Sequence, residues 1–358
     1  MKIERTFIIA EAGVNHNGSL DKARELIDIA VEAGADAVKF QTFKAERLAR
    51  SSAPKAWYQL GTTDPGESQL EMLKRLELNE EAICALFEHC KKRGIVFLSS
   101  PFDLVSLSLL TDRLDLPVVK VPSGEITNGP LLLEVGRTGK EVILSTGMST
   151  LAEIETALGV MAFGYTRSGV KPGRKAFERA YSSRRGQRAL KRNVTMLHCT
   201  TEYPAPFNEI NLRAMDTMHA AFGLPVGLSD HSPGITVPIA AVARGAVTIE
   251  KHFTLDRSLP GPDHKASLEP SELKNMVQAI RQVEEALGSG IKMPVRSELN
   301  NRLVTRKSIV ASSRIRKGER LTVDNLTFRR PADGLSPMEY WDLLNKSAQK
   351  RYSRDDKI

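Results

Sequence analysis

The sequence predicts a (β/α)8 barrel followed by a small second domain. Eight short apolar segments alternate with amphipathic segments of helical spacing, which is the pattern of a parallel barrel. The 358 residues are enough for a barrel of about 250 residues and a smaller domain. A doubly wound open sheet is the alternative, but no Gly-x-Gly-x-x-Gly motif follows the first predicted strand, which weighs against it.

The predicted strands are short and apolar, and each is followed by a helical segment. Segment 20–34 repeats apolar residues on one helical face and stops at Gly34. Segment 79–94 begins at Asn79, a preferred N-cap residue, and ends at Gly94. A third helical segment, 271–290, closes the series. The predicted strands are 7–13, 37–42, 96–102, 118–125, 142–147, 194–200, 225–230 and 247–254.

The domain boundary is predicted from a change in composition after the last helical segment. Residues 289–303 are polar and contain Gly, Pro and Asn, so we interpret them as a linker between a barrel domain, 1–288, and a C-terminal domain, 304–358. The C-terminal domain has short β-like runs, and Ser336 and Pro337 suit the start of a helix. It is too small for a large core of its own, so we expect it to pack on a larger surface.

Composition narrows the class of protein. The chain is 41% hydrophobic and 26% charged, which is typical of a soluble globular protein. No apolar run reaches the roughly 20 residues of a membrane span, and Glu11 interrupts the N-terminal apolar run where a signal peptide would need a long one. Cys84, Cys90 and Cys199 form no spaced framework, so we expect reduced thiols and a cytoplasmic protein.

The net charge of +8 comes from one segment of the chain. Residues 165–192 contain ten Lys or Arg and one Glu, so the other residues almost balance. We interpret this segment as a surface insertion that forms a solvated loop. The alternative is a patch for an anionic partner.

Polar residues gather where the predicted strands end. The active sites of (β/α)8 barrels lie at the C-terminal ends of the strands, so these residues are expected to share one site. They are Glu11, Lys39, Gln41, Ser99, Ser100, Lys120, Ser123, Glu125, Thr200, Thr201, Tyr203, Ser229, Asp230, His231, Glu250 and His252.

Alternation along a strand predicts which of these side chains point into the barrel. Lys39 and Gln41 share one face of their strand, and Glu250 and His252 share one face of theirs. Lys251 falls between the last two and is expected on the outer side or near the rim.

Two inward lysines, Lys39 and Lys120, predict a phosphate or carboxylate ligand, because a buried cation needs an anionic partner. Ser100 and Ser123 could add neutral donors. The alternative is that the lysines form internal salt bridges with Glu11 and Glu125.

Two histidines, His231 and His252, end neighbouring strands and predict a divalent metal site. Asp263 could approach them from the loop after the last strand, or it could be a turn residue, because Gly261 and Pro262 precede it.

The sequence carries a series of motifs in a fixed order: IIAEAGVNHNGSLDKARELI, VKFQTF, FLSSPFD, KVPSGEITN, ILSTGM, GLSDHS, IEKHFT and GPDHKAS. In this it resembles the sialic acid (nonulosonate) synthase family over nearly the whole chain except 165–192. The C-terminal domain resembles the antifreeze-like SAF domain in RKSIVA, KGE and FRRP. KAWYQLGTT and LHCTTEYPAPFNEINLRAM look most like the bacterial N,N'-diacetyllegionaminate synthases, and Thr201 stands where many neuraminate synthases carry Asn.

The resemblance implies a reaction that condenses phosphoenolpyruvate (PEP) with an open-chain 2-acetamido sugar and releases phosphate. It implies a divalent metal, commonly Mn²⁺ with Mg²⁺ or Co²⁺ as options, and a domain-swapped homodimer in which Arg330 comes from the partner subunit. Glu125 is our preferred base for activating water, with Glu11 as the alternative, and Lys120 orients the enol. By resemblance, His231 and His252 bind the metal; Lys39, Ser100, Lys120, Ser123 and Ser229 bind PEP; and Glu11, Gln41, Thr201, Tyr203, Asp263 and Arg330 surround the sugar.

The expected function is therefore an N,N'-diacetyllegionaminate synthase, with an N-acetylneuraminate synthase as the alternative. Two other classes remain open: a metal-dependent barrel hydrolase and an anion- or nucleic-acid-binding protein. A hydrolase usually has more metal ligands and no pair of anion-binding lysines, and a nucleic-acid-binding protein leaves the inward polar residues unexplained.

Overall fold

The computed structural model describes residues 5–64, 66–166 and 169–358. Residues 1–4 of the N-terminal stretch and 167–168 of the basic segment lie outside the described residues. The chain divides into two compact units, Met1–Gly288 and Ser289–Ile358. In the described ranges no helix is both long enough and apolar enough to cross a membrane.

The first unit is the predicted (β/α)8 barrel. Its eight strands are parallel, and β1 pairs with both β2 and β8. The order of hydrogen-bonded strands is β3, β2, β1, β8, β7, β6, β5, β4. Strands β3 and β4, at the two ends of this order, also lie against each other, which closes the barrel. The strands are β1 Phe7–Gly13, β2 Ala37–Thr42, β3 Val96–Pro101, β4 Val118–Val121, β5 Glu141–Ser145, β6 Val194–Cys199, β7 Val226–Asp230 and β8 Thr248–His252.

Helices follow the strands, and three short ones lie in the long connection after β2. The predicted ends of the first long helix are confirmed: Ser19 caps it, and Gly34 follows it with a left-handed φ of 81°. The helices of this unit are α1 Leu20–Ala33, α2 Ala45–Leu48, α3 Trp57–Leu60, α4 Gln69–Leu76, α5 Glu80–Arg93, α6 Leu104–Ser108, α7 Gly129–Thr138, α8 Leu151–Thr166, α9 Arg174–Ser182, α10 Arg184–Asn193, α11 Ala214–Phe222, α12 Thr236–Ala243 and α13 Pro270–Leu287.

The inside of the barrel is built in layers. Apolar side chains fill the end where the strands begin, and they form a small core separate from the one beneath the helices. Two residues further along each strand, the side chains point to the same face again, so the next layer can be polar without disturbing the outer core. The apolar layer contains Ile9, Ala37, Leu98, Ile143 and Leu197.

The fourth strand ends earlier than its sequence predicts. A strand was expected over 118–125, but β4 stops at Val121, and residues Ser123–Glu125 form one 3-10 turn after Pro122. Proline provides no backbone N–H for the ladder, which explains the early end. Ser123 and Glu125 therefore lie on a turn rather than on one face of a strand.

The basic segment is helical, not the solvated loop expected from its composition. Helices α9 and α10 both pack against α8. Ala180 and Leu190 are buried, and the rings of Phe177 and Phe163 lie 5.3 Å apart. The cations of α9 and α10 are exposed on the outside of these helices.

The second unit has a two-stranded antiparallel sheet and a core of its own. Strands β9, Ser308–Ala311, and β10, Leu326–Arg329, pair, and Ile309, Ile315 and Leu326 are buried in that core. The expected linker, 289–303, contains most of a helix, α14 Arg296–Thr305. Ser336 accepts a hydrogen bond from Met338 at the start of a 3-10 turn, and the short α15, Tyr340–Leu343, follows.

Lys251 lies on the outer face of β8, as its position in the strand predicts, but it is fully buried rather than near the rim. Its ammonium group lies 2.6 Å from a carboxylate oxygen of Asp230 on β7 and also donates to the carbonyl of Ser232. Asp230 accepts two further hydrogen bonds from Ser232. This pair joins β7 and β8 beneath the helices.

We predict that Lys251→Met lowers the free energy of unfolding by about 3–5 kcal/mol, because it leaves the Asp230 carboxylate buried without its cation. Urea unfolding followed by circular dichroism measures the loss. Lys74→Met is the control, since the Lys74–Glu46 pair is exposed and its loss should cost less than about 1 kcal/mol. Equal losses in the two variants would contradict this role for the buried pair.

Candidate active site

The polar layer of the barrel interior lies above the apolar layer, toward the C-terminal ends of the strands. Neighbouring strands place its members side by side: Glu11 is level with Lys39 on one side and with His252 on the other. The layer contains Glu11, Lys39, Ser100, Lys120, Ser145, Cys199, Ser229, Glu250 and His252, all of them buried.

Glu250 is the charged centre of this layer. One carboxylate oxygen lies 3.3 Å from the ammonium of Lys120, and the other lies 3.5 Å from that of Lys39. Ser229 donates a hydrogen bond of 2.7 Å to the carboxylate from β7. Glu11 lies 2.8 Å from Lys39, so two carboxylates and two ammonium groups share the interior.

The alternative of internal salt bridges is therefore met in part: Lys39 pairs with Glu11, but Lys120 pairs with Glu250 rather than with Glu125. Two serines complete the surroundings of the lysines. Lys39 donates to Ser100 at 3.2 Å, and Lys120 donates to Ser145 at 2.8 Å.

Burial and charge act differently on these groups. Burial raises the pKa of Glu11 to about 7, although Lys39 opposes the shift. Burial alone would also raise the pKa of Glu250, but Lys120 and Lys39 together lower it to about 2. The pKa of Lys39 is raised because its carboxylate neighbours outweigh burial, whereas burial lowers the pKa of Lys120. Glu250 is the carboxylate that stays ionised.

His231 and His252 come together at the mouth of the barrel, with ring centroids 5.6 Å apart. Burial lowers the pKa of both, to about 4 for His231, so both rings are neutral near pH 7. The Nδ1 of His231 lies 2.6 Å from the carbonyl oxygen of Thr200, which can only accept, so this nitrogen carries the proton and Nε2 keeps a lone pair. The Nδ1 of His252 is buried and has no hydrogen-bond partner in the described part of the chain.

Asp263 approaches the histidines from the loop after β8. A carboxylate oxygen lies 4.0 Å from Nδ1 of His252, and burial raises the pKa of Asp263 to about 6. Nevertheless, residues 5–64, 66–166 and 169–358 contain no cluster of three or more His, Cys, Asp or Glu side chains with the geometry of a metal site.

The loop after β8 is held by the loop after β1. Asn15 donates to the carbonyl of Phe253 at 2.7 Å and to the hydroxyl of Ser267 at 2.9 Å. Ser267 in turn donates to the backbone carbonyl of Asp263. Asn15 thus fixes the turn that carries Asp263.

Tyr203 covers the histidines from the loop after β6. Its ring centroid lies 4.1 Å from that of His231 and 5.7 Å from that of His252. Burial raises its pKa well above the ordinary value, so the phenol stays neutral.

Besides the polar layer and the histidines, a third group of side chains, Ser123, Cys199 and Thr201, packs around Gly147, which follows β5. The amide of Gly147 donates to Ser123, whose hydroxyl lies 3.0 Å from the sulfur of Cys199. A Cβ at Gly147 would lie 2.3 Å from the hydroxyl oxygen of Thr201, so no larger residue fits without moving these groups. That hydroxyl is buried and lacks a hydrogen-bond partner within the described ranges.

Glu125 and Gln41 are less enclosed than the residues of the polar layer. Glu125 is half-buried on its turn, where it accepts a hydrogen bond of 2.6 Å from Asn128, and burial raises its pKa. Gln41 is also half-buried, level with Ser100 in the sheet. Arg330 is exposed in the second unit.

Both units of the chain match the profiles of known protein families. The NeuB family profile matches residues 26–292, and the SAF domain profile matches residues 306–356. The chain belongs to the NeuB family. The resemblance to the nonulosonate synthases is thereby confirmed, as is the SAF character of the C-terminal unit.

Two relatives of this NeuB-family chain bear the name of a legionaminic acid synthase. N,N'-diacetyllegionaminic acid synthase of Campylobacter jejuni is 51% identical over 356 residues, which are 99% of each chain. The protein of the same name from Legionella pneumophila is 45% identical and covers 94% of this chain and 89% of its own. A crystal structure of N-acetylneuraminic acid synthetase from Leptospira borgpetersenii, in complex with citrate, is 33% identical with a TM-score of 0.66, over 83% of this chain and 90% of that one.

Sequence reasoning left several residues of this NeuB-family site out of the expected set. Glu250 was predicted to point inward but was given no role, and its pairing with two lysines depends on strands that are far apart in the sequence. Ser145, Cys199 and Asn15 could have been found from their positions within the quoted motifs. Tyr58 packs on Tyr203, with ring centroids 4.9 Å apart, and nothing in its local sequence signals that contact.

We predict that Glu250→Gln destabilises the chain by about 3 kcal/mol, because the two buried lysines lose a shared counter-charge. Inorganic phosphate should then stabilise the variant more than the wild type, since an anion replaces the missing carboxylate. Thermal unfolding at increasing phosphate concentration measures both effects. Glu125→Gln is the matched control and should respond to phosphate as the wild type does. An equal response in all three proteins would show that Glu250 does not balance the lysines.

Proposed function

We propose that this chain is an N,N'-diacetyllegionaminic acid synthase that joins PEP to 2,4-diacetamido-2,4,6-trideoxymannose and releases phosphate. The observation that carries the proposal is the pair of buried lysines that share one carboxylate, in the same barrel interior as two neutral histidines. Identity of 51% over 99% of both chains supports the particular sugar. N-acetylneuraminate synthesis is the alternative within the family.

Lys39 and Lys120 bind the carboxylate and phosphate of PEP in this proposal, and Ser100, Ser123 and Ser229 add hydroxyl donors. The two ammonium groups already lie close to one carboxylate, so an arriving anion meets cations that are fixed in place. Preorganised charge of this kind costs no reorganisation during the reaction.

The C–C bond forms when C3 of PEP attacks the aldehyde carbon of the sugar. Water then adds at C2, and cleavage of the bond from C2 to the phosphate oxygen releases phosphate. Glu125 is our preferred base for that water because it is half-buried and reachable, and Glu11 is the alternative because its pKa is about 7. Glu11, Gln41, Thr201, Tyr203 and Asp263 surround the sugar in this proposal.

A divalent metal, with Mn²⁺ first among the candidates, fits His231 and His252. Both rings are neutral. His231 keeps a lone pair on Nε2, and His252 has a buried nitrogen that no described residue contacts by a hydrogen bond, so each can donate a lone pair. A bound divalent cation would supply a Lewis acid for the aldehyde oxygen. Thr200 orients His231 through its carbonyl, as a supporting group does in established metal sites.

His231→Ala and His252→Ala are each expected to lose at least about tenfold in Mn²⁺ affinity, because each removes one nitrogen ligand. Isothermal titration calorimetry measures the affinity of the folded proteins. His198→Ala serves as the control, because His198 contacts the carbonyl of Ile210 and not the barrel mouth. Wild-type affinity in either of the first two variants would remove that residue from the metal site.

The function itself is tested by incubating the wild type with PEP and each of several acylamino sugars. We expect the highest kcat/KM with 2,4-diacetamido-2,4,6-trideoxymannose, a nonulosonic acid product by mass spectrometry, and phosphate release only when both substrates are present. A higher kcat/KM with N-acetylmannosamine would favour the alternative synthase. Phosphate release without any sugar would instead indicate a hydrolase.

We also propose a domain-swapped homodimer in which Arg330 enters the site of the partner subunit. Arg329 is held by Asp355 at 2.9 Å, whereas Arg330 is exposed and next to Pro331, which restricts its backbone. A guanidinium group can donate to an acetamido oxygen or a carboxylate of the ligand.

Subunit mixing tests the shared site. Arg330→Ala and His252→Ala should each be inactive alone, and exchange of subunits should restore activity, because one site of the mixed dimer then carries neither defect. A mixture of His231→Ala with His252→Ala is the control and should stay inactive, since every barrel keeps one defect. Proven exchange without recovery in the first mixture contradicts the shared-site arrangement.

A further inference from the structure

The long connection after β2 crosses toward the barrel mouth and contains an aromatic residue that the site described so far does not use. This connection holds the short helix α3, Trp57–Leu60. Tyr58 of that helix is half-buried, whereas its neighbour Trp57 is 86% exposed. The two aromatic residues thus point to different surroundings.

Tyr58 extends a row of rings that starts at the histidines. Its ring centroid lies 4.9 Å from that of Tyr203, and the ring of Tyr203 lies 4.1 Å from that of His231. Tyr58 therefore stands one ring further from the histidines than Tyr203 does. The phenol of Tyr58 also lies close enough to Asp263 for that carboxylate to help burial raise its pKa.

The connection is fastened in this position. The amide of Gly261, in the loop after β8, donates to the carbonyl of Thr62 at 3.2 Å. Lys55 donates to Thr63 at 3.0 Å and pairs with Glu67 at 3.7 Å. The connection that carries Tyr58 is thus fixed to the loop after β8, so the Tyr58 ring can contact a bound ligand in a defined geometry.

The proposed substrate has a matching apolar end. Its reacting aldehyde is C1, so C4 to C6 lie further from the histidines, as Tyr58 does, one ring beyond Tyr203. The sugar carries an acetamido group at C4 and a methyl group at C6, where N-acetylmannosamine carries a hydroxyl and a hydroxymethyl group. Methyl groups gain from contact with an aromatic ring, whereas hydroxyl groups lose water without gaining a partner there.

We propose that Tyr58 is a specificity-determining residue whose ring packs against the C4 acetamido and C6 methyl end of the sugar. The inference rests on the proposed function, and it concerns the choice of sugar rather than the chemistry at C1. The lysines that would hold PEP pair with Glu250 inside the barrel and are not part of the row of rings, so the use of PEP should not depend on this ring.

The test compares kcat/KM for the two sugars at saturating PEP in the wild type and in Tyr58→Ala. The ratio that favours the 2,4-diacetamido sugar should fall by about tenfold or more, the effect of losing apolar contacts in a pocket, while KM for PEP changes less than about twofold. Tyr58→Phe keeps the ring and should keep the ratio. Trp57→Ala changes the exposed neighbour and should also keep it.

Two outcomes overturn the inference. One is a ratio in Tyr58→Ala within about twofold of the wild-type ratio; the other is an equal loss with both sugars, which would mean that Tyr58 only supports Tyr203. If Tyr58→Ala fails to fold in thermal unfolding, Tyr58→Gln keeps a long side chain without the apolar ring and should show the same fall. The proposed function is tested separately in the wild type: a wild type that forms no product with the 2,4-diacetamido sugar, or that prefers N-acetylmannosamine, refutes that function before any variant is compared.

Discussion

Charge balance inside a closed barrel is the constraint on which the rest of the site depends. Two ammonium groups cannot stay buried among apolar side chains unless anions accompany them, and Glu250 supplies an anion that both lysines share. The pairing leaves Glu11 as the weaker acid of the layer, with a pKa of about 7. One carboxylate thus stays ionised while its neighbour is free to change its protonation state.

Strand β8 shows how one short segment can carry two kinds of chemistry. Glu250 and His252 face the interior, and between them Lys251 faces the helices, where Asp230 neutralises it. Alternation of side chains makes this possible, because the two faces of a strand meet different surroundings. Glu250 and Lys251 are therefore stable in a buried strand, since each has a partner of opposite charge on its own side of the sheet, whereas burial keeps His252 neutral.

The sequence was sufficient to predict the barrel and the inward direction of Lys39, Glu250 and His252, because these follow from a period of two and from the order of strands. For Asp263 it left two interpretations open, a turn residue or a neighbour of the histidines, because the path of a loop has no such period. It did not predict which carboxylate would pair with Lys120, since that depends on distances across the barrel. Pro122 was a signal in the sequence that β4 ends early, because proline has no backbone N–H for the sheet. The position of Tyr58 could not be predicted, because it depends on a contact with Tyr203 in another loop, and no local sequence pattern indicates that contact.

The packing of α9 and α10 on α8 changes how the basic segment should be regarded in protein engineering. In most barrels one face of each outer helix is exposed to solvent. Helix α8 instead buries residues on more than one face, among them Gly159, Met161 and Phe163. The backbone of Phe177 lies so close to Gly159 that a side chain there would meet its carbonyl at 3.3 Å. Deleting the segment as if it were a dispensable loop would expose a hydrophobic surface along α8, so a shortened barrel would tend to aggregate.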